Sequence, residues 1–242
     1  EVLRAFRSEV RSLQRAQSPR DGGVVQLLDL SRDSRGEPAA AADGCCYLVM
    51  ELGMFTMEQL VRDSREAGRS PKVAEVRETV RLVLTALERL HASSRTLSTH
   101  APRHWMRFPA GWKHIAADCL QPMNAALDLT DLISVGDPLY RAPEFVAAIV
   151  GNRPSVSLTP AMDVWAVALI CLELILPQPL FAATLANAAP PTGPSNDRTL
   201  FAALAREQSA PIALPPEVED FSPAFADLIK ELLSIDPSVR PT

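Results

Sequence analysis

The amino-acid sequence predicts an α+β fold, with one helix and two short strands ahead of a mostly helical body. Three observations point there. The first fifteen positions carry apolar residues at helical spacing, and two apolar runs of strand length follow before Gly53. Beyond them no regular βαβ alternation appears, which excludes a Rossmann-type sheet. With 242 residues the chain can form one large domain or two unequal lobes around a cleft.

Leu3, Phe6, Val10 and Leu13 make an amphipathic helix of residues 2–15. Residues 24–30 read as a short apolar strand, and 31–44 as a polar loop rich in Ala, Asp and Gly. A second strand covers 47–52, and Gly53 ends it. Val73, Val76, Val80, Val83, Leu87 and Leu90 line one face of a long helix over 72–91. Between 97 and 118 the pattern breaks up at Pro102, Pro109 and Gly111. Residues 163–176 are apolar nearly all round, as a central buried helix should be. A proline-rich loop at 188–196 and a last helix over 223–234 follow.

An apolar share of 47% is enough for a packed core, and 22% charged residues argue against disorder. The net charge of -5 offers no basic footprint, so no nucleic-acid partner is expected. The longest apolar run, 164–176, is interrupted by Glu173 and too short for a bilayer, so no membrane partner is expected either. No secretory signal pattern opens the chain. It starts at Glu1, inside a helical pattern, and so reads as a fragment. Cys45, Cys46, Cys119 and Cys171 lack the CxxC spacing of a zinc site. Reduced thiols and a cytoplasmic location are the expectation.

Three separated segments carry a family resemblance. Tyr140-Arg141-Ala142-Pro143-Glu144 resembles the APE end of an activation segment in eukaryotic protein kinases. Asp163-Val164-Trp165-Ala166-Val167-Ala168 resembles the DVWSLG start of their central C-lobe helix, and Asp236-Pro237 with Arg240-Pro241-Thr242 resembles the DPxxRPT element. Glu9 in the first helix, Met50-Glu51-Leu52 running into a hinge, and Leu90-His91 ending the long helix are further matches. The resemblance implies a protein-kinase-like two-lobe fold in one domain. Residues 1–52 would be a partial N-lobe, with helix C and two strands, and 53–242 a mostly helical C-lobe. The glycine-rich loop and lysine strand would lie upstream, leaving sheet edge exposed. It also implies a pair between Glu144 and Arg240, and backbone N–H bonds from the catalytic loop to Asp163. Glu51, Leu52 and Gly53 would form the hinge that touches a nucleotide.

Family kinases need a catalytic-loop Asp as base, and an Asn and the DFG Asp to hold magnesium. Counting forward from His91 and back from Pro102 puts the HRD tripeptide at Leu97-Ser98-Thr99 and the Asn position at His104. Lys113 resembles the lysine of the KLxDFG strand, which puts DFG at Ala116-Ala117-Asp118; the loop lysine becomes Ala101. Thr99 is a poor base near neutrality. Ala116 cannot ligate magnesium, and His104 suits softer metals. Asp118 could take over only if the strand slipped, since two strand residues span about 6–7 Å. His91, His100, His104 and His114 lack both HExxH spacing and a neighbouring acid or Cys in sequence, and read as packing and surface residues rather than a metal site. Trp105, Met106, Phe108 and Trp112 are expected to wall the cleft floor. Gly22-Gly23 lacks GxGxxG spacing, so no phosphate loop is present.

The implied function is that of a pseudokinase, a scaffold or allosteric module for a protein partner such as an active kinase or its substrate. No metal and no cofactor are expected, beyond weak metal-independent nucleotide binding at the hinge. The alternative is an atypical or residually active Ser/Thr protein kinase that binds ATP.

Overall fold

The computed structural model describes residues 2–16, 22–130, 137–188 and 197–241. Helix α1 (Val2–Ala16) follows the apolar spacing closely, burying Phe6, Val10 and Leu13. Phe6 and Val10 form a small cluster with Leu30, whereas Leu13 reaches the main core. Strands β1 (Leu27–Leu30) and β2 (Leu48–Met50) pair antiparallel, with a register shift between Leu27 and Asp29.

Both expected strands are trimmed. Val24 and Val25 leave β1 because both are buried in the main core, which a strand with one wet face cannot do to neighbouring residues. They run instead beside His114: Val25 N–H donates to its carbonyl at 3.0 Å, and His114 N–H donates to Gly23 at 2.8 Å. Only glycine fits at position 23, where a Cβ would stand 2.5 Å from the Ala86 carbonyl oxygen. At the far end, Glu51 N–H still bonds the Gln26 carbonyl, but Leu52 turns outward and is 90% exposed.

Next come β3 (Phe55–Thr56) and helix α2 (Met57–Glu66), an element the periodicity did not reveal. Its start is nevertheless written locally: the Thr56 hydroxyl accepts from Gln59 N–H, and the Gln59 side chain accepts from Thr56 N–H. The long helix α3 (Val73–Ala92) buries the predicted valine and leucine stripe except Val73, which is exposed. The broken region resolves into β4 (Arg95–Leu97), a 3-10 turn at Pro102–His104, and a hairpin of β5 (Trp105–Phe108) and β6 (Gly111–His114). Strand β3 pairs with β5 to complete a three-stranded sheet. A second 3-10 turn, Ala117–Cys119, leads into β7 (Leu120–Pro122), which pairs with β4.

The remaining body is β8 (Ala126–Asp128), α4 (Pro143–Val150), β9 (Ser155–Ser157), α5 (Pro160–Leu172), α6 (Ala182–Ala188), α7 (Asp197–Glu207), α8 (Pro216–Phe221) and α9 (Pro223–Leu232). Proline opens α4, α5, α8 and α9, where its missing N–H costs nothing. Helix α5 begins three residues before the predicted 163 and stops at Leu172, with Glu173 as its cap. Every residue from Ala161 to Leu172 is buried, so α5 is the axis of the core. Each buried Val, Leu or Ile there contributes about 1.5–3 kcal/mol. The last helix also ends early, at Leu232 rather than 234. The predicted loop at 188–196 lies outside the described residues apart from Ala188, which ends α6. The four cysteines are free thiols, Cys45 exposed and Cys119 and Cys171 buried. No described helix is long and apolar enough to cross a membrane.

Candidate functional site

Helix α5 carries Asp163, 1% exposed, to the end of β4. Its carboxylate takes the Leu97 N–H at 3.2 and 3.3 Å, the His91 Nε2 at 2.9 Å and the His100 Nε2 at 2.8 Å. A buried anion needs such a set of donors. The sequence reading found no acid beside the histidines; folding supplies one from more than sixty positions away. Leu97 N–H is a backbone donor of the expected kind, and two histidine side chains join it. His100 and His104 each lie edge-on to His114, at 6.2 and 5.6 Å between ring centres. Burial, with charge repulsion among these imidazoles, lowers His104 to about 4 and His114 well below the ordinary histidine value. Both are neutral near pH 7. Among the described residues no group of three or more His, Cys, Asp and Glu is arranged to hold a metal ion.

The activation-segment landmark meets the last one through Arg240. Its guanidinium donates two parallel bonds to Glu144, at 2.8 and 2.9 Å, and others to the carbonyls of Ala161, Ser234 and Ile235. It also lies over the Trp165 ring at 5.0 Å. Side chains that the sequence reading did not single out complete this side. Arg141 donates to the Ser98 carbonyl at 2.5 Å and stacks on Phe145 at 4.3 Å, tying the activation segment to the loop after β4. Burial lowers Arg141 to about 10, still charged at neutrality. Tyr140 Oη donates to Glu173 at 2.6 Å, and burial raises the Glu173 carboxyl. Arg65 from α2 lies 3.7 Å from the same carboxylate. The one signal for this cluster was a glutamate interrupting an apolar run.

On the cleft side, β6 ends at His114, so Ala116 and Asp118 are not on a strand, as the sequence reading had them. Ala116 caps the 3-10 turn and Asp118 lies within it, with Ala117 buried and Asp118 exposed. The Glu9 carboxyl is raised, first by partial burial and then by the negative charge of Asp118. Helix α1 packs against this turn. At the hinge, Glu51 accepts from Gln26 N–H at 2.8 Å and from Lys113 Nζ at 2.5 Å, an ion pair the sequence did not suggest. Gly53 is packed so closely that a Cβ there would stand 2.0 Å from Met106 Sδ. Met106 thus floors the hinge. Trp105 and Phe108 belong to the core instead, and Trp112 turns toward Phe55, 5.9 Å away edge-on. Thr99 and His104 are partly buried, on the loop between β4 and β5.

Residues 126–242 match the protein kinase domain family. A protein of Oryza sativa subsp. japonica named as cyclin-dependent kinase F-2 is 29% identical over 160 residues, 66% of this chain and 47% of that protein. The chain therefore spans about half the length of the curated relative it matches. The matched region contains Glu144, Asp163 and Arg240, whose bonds are those just described. Over residues 126–242, just under half of its length, the chain is similar to the protein kinase domain family, and the ordered landmarks fall where that likeness places them.

Proposed function

We propose that this is a pseudokinase domain, acting as a scaffold or allosteric module for a protein partner. One observation carries the reading. The family resemblance aligns Thr99 with the base, His104 with the metal amide and Ala116 with the metal carboxylate, and the bond from Leu97 N–H to Asp163 supports that register. None of the three side chains supports the family chemistry. Neither does His100 stand in as base: it is bonded to Asp163 and buried. The end of the activation segment, tied by Arg141 and by the Glu144–Arg240 pair, could still present a surface to an active kinase or its substrate. Any nucleotide would rest on Glu51, Leu52 and Gly53 without metal.

The second reading, a residually active Ser/Thr kinase, is favoured by Asp118, which is exposed on the cleft-side turn beside Glu9. Melting of the domain with ATP, with and without magnesium, separates the two. Saturating a tight magnesium-ATP site would raise the midpoint by about 5–10 °C. The expected result is no magnesium-dependent rise and no phosphate transfer. Transfer that Asp118→Ala abolishes would overturn the pseudokinase reading in favour of the second.

A further inference from the structure

The connection from α2 to α3 forms one wall of a groove of about 550 Å³. Its lining includes Arg69, Ser70 and Lys72 from the connection, Arg107 from β5, and Glu75 and Glu78 from α3. The two acids already have cations: Lys72 lies 3.4 Å from Glu75, and Arg81 lies 2.7 Å from Glu78. Ser70 is exposed, belongs to neither helix, and has no hydrogen bond on its backbone or hydroxyl among the described residues. Pro71 follows it, and proline biases the preceding residue toward extended backbone. An exposed serine outside the helices, biased toward extended backbone by the proline after it, can enter another enzyme's cleft without breaking local structure.

The fold sets this serine apart from the other hydroxyl residues that precede proline. Ser222 opens α9: its hydroxyl caps Phe225 N–H, its own N–H bonds Val218 and its carbonyl accepts from Ala226. Thr159 is partly buried at the start of α5, and its carbonyl accepts from Met162 N–H. Both already have extended backbone, but seating either in another enzyme's cleft would break the bonds that hold a helix end. Ser18 precedes Pro19 outside the described residues.

We propose that Ser70 is a phosphorylation site for a proline-directed serine kinase, with the resulting phosphate held at the groove rim by Arg69, Lys72 and Arg107. In the step, the Ser70 Oγ–P bond forms and the γ-phosphoryl bond of ATP breaks. ADP leaves, and the hydroxyl proton passes to the base of the modifying enzyme. The product carries about -1.5 to -2 charge and three acceptor oxygens, which suit arginine and lysine donors.

The test uses the full chain carrying Ser18→Ala, an active proline-directed serine kinase and magnesium-ATP, read by peptide mass spectrometry. One phosphate on Ser70 is expected, lost in Ser70→Ala and at least about tenfold slower in Pro71→Ala, since the enzyme reads the extended Ser-Pro unit. Label on Ser222 or Thr159 with Ser70 unmodified, or no label, would overturn the assignment. The landing site is read by phosphorus NMR titration. Held by three cations, the phosphoserine should titrate below its usual second pKa of about 6 and move back toward it in Arg107→Gln. An ordinary titration in both proteins would overturn the groove contact.

Discussion

Two polar groups near helix α5, the Arg240 guanidinium and the histidine rings around Asp163, differ in how fully they are bonded. On one side Arg240 spends its guanidinium nitrogens on Glu144 and on the carbonyls of Ala161, Ser234 and Ile235. On the other, Asp163 is well satisfied, but the ring nitrogens His100 Nδ1, His104 Nδ1 and His114 Nε2 are buried without a partner in the protein. A buried polar atom left unpaired costs about 1–3 kcal/mol. The Arg240 guanidinium is thus fully bonded while three histidine rings are not, and among the described residues Arg141 Nε and Nη2, Trp165 Nε1 and Gln208 Oε1 are likewise buried without a partner.

The largest expected effect lies on the Arg240 side. Arg240→Ala should destabilise the domain by about 3–5 kcal/mol, because it strands Glu144 and the carbonyls together. Adding Glu144→Ala should then cost little more. Denaturant unfolding of both single variants and the double variant reads this directly. Additive losses would mean the two residues do not act as a unit, and the comparison drawn above would fail.

A smaller loss is expected from Asp163→Asn, which keeps the shape but removes the charge shared by Leu97, His91 and His100. Charge-assisted bonds of this kind contribute about 1.5–3 kcal/mol. The loss should be local, so amide exchange should quicken at Leu97 and in the loop after it more than in α9. Equal acceleration throughout would make Asp163 a global core element instead.

How much of this was legible depends on the range of the interaction. Helices α1, α3 and α5 could be read because their apolar spacing is local and strong, as at Val76, Val80 and Val83. Helix α2 escaped a periodicity search although Thr56 and Gln59 spelled its cap. Strand β1 was read too long because Val24 and Val25 look like strand residues, and only the fold tells that they serve His114 and the main core. At the site, Glu144, Asp163 and Arg240 were found through ordered family landmarks. The Glu51–Lys113 pair and the Asp163–histidine bonds were not, since they join residues 62 to 72 positions apart that no motif links. Sequence spacing reports one element at a time, and a polar network belongs to several.

The smallest effect tests the histidine side itself. His114 is fully buried and His104 partly so, and burial holds both below the ordinary histidine value of 6.5. In the unfolded chain each takes up a proton near pH 6.5, but in the folded protein His104 waits until about 4 and His114 lower still. Between those limits the unfolded state binds more protons, so stability is whole above pH 6.5 and falls as the medium is acidified. Glu9 and Glu173 work the other way, because their raised carboxyls take up protons more readily when folded. The histidine contribution is therefore best isolated by a variant. His114→Leu removes the imidazole and its unpaired Nε2, while the backbone bonds of residue 114 to Gly23 and Val25 remain. Denaturation midpoints at pH 7.5 and 5.5 should show the parent protein losing stability and the variant losing less. At pH 5.5 the variant should be at least as stable as the parent, since it buries an apolar group where a polar one went unsatisfied. Equal pH dependence in the two proteins would show that His114 is not held neutral. A variant less stable at both values would show that its ring nitrogens are satisfied after all, and the contrast with Arg240 would lose its basis.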